Sequence, residues 1–192
     1  MKSSLVRLSL LGVFALAVAG SYTSEAAEPQ PTRDLASFGV MKLPSFDAVR
    51  GQAQTWLKSA NKYDEATFNA LWSQNERPLL DLVADTFALG NPEAARLLAD
   101  ARDPDAPAPK EVPSILKDTK LDSFFRSNLT LAYAKALSNK KVYEEGLEAL
   151  KSVKPEQVVD PGAYFFHKAV AEHGMLQKPE ANRSIARLLD DV

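Results

Sequence analysis

Cysteine is absent from the 192 residues. That excludes disulfides, thiolate zinc sites, iron–sulfur clusters, cysteine nucleophiles and thioether-linked haem. It also excludes a lipid anchor on cysteine. Glycine is scarce, with 8 residues, and no G-x-S-x-G, Walker A or G-x-G-x-x-G pattern occurs, so a loop that cradles phosphate through glycine backbone is not expected. There are two histidines, His167 and His173. Six residues apart on a helix they point about 120° from each other, which is poor for joint metal binding. Neither H-E-x-x-H nor H-x-x-E-H is present. No charge sign dominates: 23 Lys+Arg oppose 25 Asp+Glu, a formal net charge of −2. A nucleic-acid binder usually carries a marked basic excess on one face. Runs of alternating β-branched residues and Asn-Gly or Asp-Gly turns are missing too, so an appreciable sheet is not expected.

What is present is one strongly apolar stretch. Leu8 to Ala19 is uncharged, broken only by Ser9 and Gly12, and follows Lys2 and Arg7. A run of this length falls short of the roughly 20 residues that span a bilayer but suits the apolar core of a secretory signal. Small residues offer cleavage before Gly20 (Ala17-Val18-Ala19) or before Ala27 (Ser24-Glu25-Ala26). We take 1–26 as the signal, which predicts a bacterial, exported protein, periplasmic or extracellular. No other stretch approaches membrane-spanning length, so no span is expected after cleavage. Loss of Lys2 and Arg7 takes the formal net charge from −2 to −4, a mild acidity that favours solubility.

The remaining sequence holds 45% hydrophobic residues over the whole chain, enough for one core. Pro29, Pro31 and Pro44 predict an extended segment over 27–45. Beyond it the apolar spacing is helical throughout. Phe46, Val49, Ala53, Trp56, Leu57 and Ala60 share a face behind Ser45, a candidate N-cap. A second helix is expected from about Tyr63 to Ser73. A third begins near Pro78, with Gly90 read as the residue that ends it. Asn91 caps a fourth, opened by Pro92. Residues 103–120 form a proline-rich linker: Pro104, Pro107, Pro109 and Pro113 deny helix and favour a semi-rigid connector. Helix resumes at about Leu121, turns at Asn139-Lys140-Lys141, and continues through Tyr143 and Leu150 to Pro155. Asp160-Pro161 opens another helix, Gln177-Lys178 turns the chain, and Pro179 starts the last. The spacing therefore predicts an all-α chain of about four antiparallel hairpins, two over 46–102 and two over 121–192.

The hairpins echo one another. Lys62-Tyr63-Asp64-Glu65-Ala66 is similar to Val142-Tyr143-Glu144-Glu145-Gly146. Leu89-Gly90-Asn91-Pro92-Glu93-Ala94 is similar to Leu176-Gln177-Lys178-Pro179-Glu180-Ala181. Each pattern sets an acidic residue in a first turn, where the helix dipole favours it. Each then sets a small residue, Ala66, Ala94, Gly146 or Ala181, where two backbones could approach closely. Tyr133-Ala134-Lys135-Ala136-Leu137 followed by Tyr143-Glu144-Glu145-Gly146-Leu147 resembles the tetratricopeptide pattern, whose period is about 34 residues. Phe165 with Ala169, then Pro179-Glu180-Ala181, matches it less fully.

That resemblance implies a tetratricopeptide-like α-solenoid of stacked hairpins, with a concave groove lined by the first helix of each. Carried onto this sequence, the groove positions are Asn128, Lys135 and Asn139 in the third hairpin, Phe166 and His173 in the fourth, and Thr55 and Lys58 in the first. The implied function is a non-catalytic, exported scaffold that binds a protein or peptide partner, with no cofactor, no metal and no nucleic acid. Two other classes stay open. One is an exported cell-wall or carbohydrate-active helical enzyme, which would need two carboxyls across a cleft. The other is a subunit of an envelope assembly, docking through Leu188, Leu189 and the outer face of the last helix. The adjacent carboxylates Asp64/Glu65, Glu144/Glu145 and Asp190/Asp191 all fall at helix ends, where a dipole role accounts for them. Asn128-Leu129-Thr130 and Asn182-Arg183-Ser184 match the glycosylation acceptor pattern inside expected helices, and we read them as coincidence.

Overall fold

Short polar side chains set most of the helix starts in the computed structural model. The structure describes residue 41, residues 43–74 and residues 76–192; the expected signal at 1–26 and most of the extended segment at 27–45 lie outside the described residues. Ser45 accepts from the Ala48 amide to open α1 (Phe46–Ser59), and Asp64 accepts from Thr67 to open α2 (Glu65–Trp72). Asn91 accepts from Glu93 and Ala94 at α4 (Pro92–Arg102). Asp122 does the same for Phe124 and Phe125 at α6 (Ser123–Asn139), and Asp160 for Ala163 at α8 (Pro161–Gly174). Each such cap satisfies amides that have no partner inside the helix. Helices α3 (Leu79–Gly90), α7 (Tyr143–Leu150) and α9 (Lys178–Asp191) begin without a side-chain cap. Pro78 immediately precedes α3 rather than sitting in its first turn. Among the described residues every regular element is helical and none is a strand, so the chain is all-α.

The expected linker is only partly irregular. Residues 103–113 carry no helix, but Ser114–Lys117 form a short helix, α5, that buries Ile115 and Leu116. A single 3-10 turn, Pro155–Gln157, joins α7 to α8. Three helix-to-helix turns use a non-glycine residue in the left-handed region: Asn61 at φ 54°, Lys141 at φ 61° and Leu176 at φ 60°.

Packing follows chain order. α3 lies against α1, α2, α4 and α6; α6 against α3, α4, α5, α7 and α8; α8 against α6, α7 and α9. The two hairpin pairs are thus in direct contact across the proline-rich segment. An aromatic cluster fastens them: Trp56 of α1 stacks on Phe125 of α6 with ring centres 5.1 Å apart, and Phe87 of α3 meets both edge-on at 4.8 and 4.3 Å. Such pairs contribute about 0.5–1.5 kcal/mol each beyond the area they bury. Trp72 keeps its indole N–H satisfied inside the core by donating to the Thr86 hydroxyl at 2.9 Å.

Two expectations about small residues change. Gly90 is the last residue of α3 and has no positive φ; its lack of a side chain makes room for Trp56, whose ring atoms would lie 2.3 Å from a Cβ placed there. Of the four small residues read as close-approach points, Ala94, Gly146 and Ala181 are buried but Ala66 is exposed. A Cβ on Gly146 would meet its neighbours at an ordinary 3.8 Å.

Candidate functional site

Three helices bring their charged side chains to one place. Arg77, Asp81 and Asp85 recur every fourth residue, so they share one side of α3 and its lead-in. Lys135 of α6 donates to both carboxylate oxygens of Asp81 at 2.8 Å. Arg102, the last residue of α4, bonds Asp85 at 2.6 Å, and Arg77 bonds the other oxygen of the same carboxylate. These side chains are half-buried, between 22% and 41% exposed, so they are held more firmly than fully solvated pairs. Arg77, Asp81, Arg102 and Lys135, together with Asn139, line a cavity of about 520 Å³. Two guanidiniums share the single carboxylate of Asp85, which leaves local positive charge uncompensated.

His167 of α8 is buried, and its Nδ1 has no hydrogen-bond partner. Burial and the nearby Lys135 ammonium push its pKa down to about 4, with Asp160 and Asp81 opposing. The imidazole is therefore neutral at pH 7. Phe166 beside it is half-exposed, its ring edge-on to the imidazole with centres 5.1 Å apart.

The seven residues named from the family resemblance separate into groups. Lys135 and Asn139 meet in the cavity just described. Asn128 does not face a groove. It is wholly buried, donating to the carbonyls of Phe124 at 2.9 Å and Gln157 at 3.4 Å and accepting from the Val159 amide at 2.9 Å. Its chemistry is spent on tying the segment after α7 to α6. Thr55 is exposed but donates its hydroxyl back to the Gly51 carbonyl at 2.9 Å, and the Lys58 ammonium lies over the Tyr63 ring at 4.9 Å. His173 is exposed in the last turn of α8. None of these three lines the cavity around Lys135.

Sequence reasoning missed Arg77, Asp81, Asp85 and Arg102, and weighed His167 only as a metal ligand. The four-residue spacing of Arg77, Asp81 and Asp85 is a signal that could have found the first three. Among the described residues no group of three or more His, Cys, Asp or Glu side chains is placed to hold a metal ion. Comparison with family models, with curated proteins and with solved structures finds no match to this chain.

Proposed function

We propose that this chain is an exported, non-catalytic binding module: stacked, tetratricopeptide-like hairpins that hold a protein or peptide segment against the side formed by α3, α4 and α6. The observation that carries this reading is the cavity where Asp81, Lys135, Arg77, Arg102 and Asn139 converge from three separate helices. The order of packing supports it, since each hairpin lies on the next and the first helices α1, α3, α6 and α8 contact one another in succession. Such stacks present long surfaces to partners. Asp81 and Asp85 are both engaged by cations, so neither stands free as a general acid or base, which favours binding over hydrolysis.

The test starts from a partner captured by the wild-type chain and identified by mass spectrometry. Reversing charge at Lys135 (Lys135→Glu) together with Asn139→Ala should weaken calorimetric affinity at least tenfold while the helical circular dichroism stays the same. Unaltered affinity in the double variant would remove this surface from the function.

A further inference from the structure

A second, larger cavity also borders α6, and Lys140 lines both. Leu97 and Ala101 of α4, Tyr133 and Leu137 of α6, and Ile115 of α5 wall a space of about 790 Å³. The proline-rich segment closes it, with Pro107 and Pro109 on the lining. This strap is not a free connector. The Lys140 ammonium donates to two of its carbonyls, Asp103 at 2.7 Å and Ala106 at 3.0 Å, and the prolines restrict its backbone. The opening is therefore preformed, which lowers the ordering cost of binding. Its size falls within the range of small-molecule sites, roughly 300–1,000 Å³.

Tyr133 offers this cavity no exposed polar group. The Tyr133 hydroxyl is shut off from water and has no hydrogen-bond partner, and burial, with the Glu145 carboxylate adding to it, pushes its pKa up to about 12. The charges at the rim cancel. Arg96 faces Asp100 at 3.7 Å, Glu93 opposes Lys140 in sign, and Lys140 is committed to the strap. The lining therefore carries no net charge, whereas hydrocarbon surface finds Leu97, Leu137 and Ile115.

We propose that this cavity binds a small uncharged molecule of mainly hydrocarbon surface, held between α4, α6 and the proline-rich strap. The proposal stands apart from the Lys135 groove and does not depend on it.

Nile red, an uncharged apolar dye, is the probe, and dodecanol and dodecanoate are competitors that differ in charge. Nile red should bind the chain saturably at one site, and dodecanol should displace it at least tenfold more effectively than dodecanoate. Ala101→Phe, which fills the cavity from its α4 wall, should weaken dye binding at least tenfold. Should that variant fold poorly, methyl NMR of the wild type decides: the dye should shift Leu97, Ile115 and Leu137. Absence of saturable binding overturns the proposal. So does equal competition by dodecanol and dodecanoate, or shifts confined to the exposed Leu176, Ile185 and Leu189.

Discussion

Helices α6 and α9 both mix polar and apolar side chains, yet they live in different surroundings. α6 buries 12 of its 17 residues, including Ser127, Asn128, Thr130 and Ser138. α9 buries three of 14, Ala181, Ser184 and Asp191, while Ile185 and Leu189 stand in solvent. The reason is position in the stack. α6 is covered by α3, α4, α5, α7 and α8, whereas among the described helices α9 packs chiefly on α8. A polar side chain survives inside α6 because it finds a backbone partner: the Thr130 hydroxyl donates to the Arg126 carbonyl at 2.7 Å, and Asn128 is fully engaged. Ile185 and Leu189 are left outside on α9 because, among the described helices, it packs chiefly on α8. Local composition does not decide burial here; the number of neighbouring layers does. α6 also serves as a shared wall, with Lys135 and Asn139 facing the charged cavity and Tyr133 and Leu137 the apolar one.

The sharpest way to break this contrast is to truncate one leucine on each helix. Leu129 is 0% exposed and Leu189 is 76% exposed. Leu129→Ala should cost about 2–5 kcal/mol through lost burial and the cavity left behind, and Leu189→Ala less than about 0.5 kcal/mol, both read from urea unfolding. Similar losses at the two sites would show that the helices are equally buried. The asparagines give a second comparison. Asn128→Ala strands the Val159 amide and the Gln157 carbonyl and should cost about 1–3 kcal/mol; Asn182→Ala on the exposed side of α9 should be nearly neutral.

The buried imidazole of α8 sharpens the comparison through pH. Its pKa is about 4 in the fold against an ordinary 6.5. The unfolded chain therefore takes up a proton below pH 6.5 that the folded chain refuses until about pH 4. Stability from the neutral imidazole is complete above pH 6.5, is lost as pH falls toward 4, and levels off below. The loss should reach about 2 kcal/mol, less than the full shift implies because solvent reaches part of the ring. Unfolding series at successive pH values on wild type and His167→Gln should diverge in that window. Parallel curves would mean that His167 is not shielded.

The smallest effect belongs to the turn into α9. Leu176 adopts a left-handed backbone at φ 60° and is 79% exposed. Its side chain gains little by packing and strains the backbone. Leu176→Asn should stabilise by about 0.5 kcal/mol, visible as a rise in thermal midpoint. A drop instead would mean that the leucine has a covering partner.

What the sequence made legible was local. Ser45, Asn91 and Asp160 announce helix starts because a cap is a bond between near neighbours, whereas Asp64, read as part of a first turn, is the cap of α2. Turns at Asn61, at Lys141 and next to Gln177 fell where polar residues interrupt the apolar spacing. What it hid was tertiary. Asp81 and Lys135 are 54 residues apart, and no spacing rule joins them. Asn128 was carried onto the groove by the family resemblance, and a sequence pattern cannot tell a polar atom facing a partner from one facing Gln157 and Val159. The strap's second role was hidden for the same reason: prolines exclude helix, but that Lys140 ties their segment down over Tyr133 depends on a helix more than 30 residues away.

The most direct test of α6 as the covered inner wall of both cavities is hydrogen exchange of the whole chain, resolved by residue. The account predicts that amides in the middle of α6, from Leu129 to Leu137, exchange only through global unfolding, while those of α9 exchange at least a hundredfold faster through local opening. Equal protection of α6 and α9, or faster exchange in α6, would contradict it.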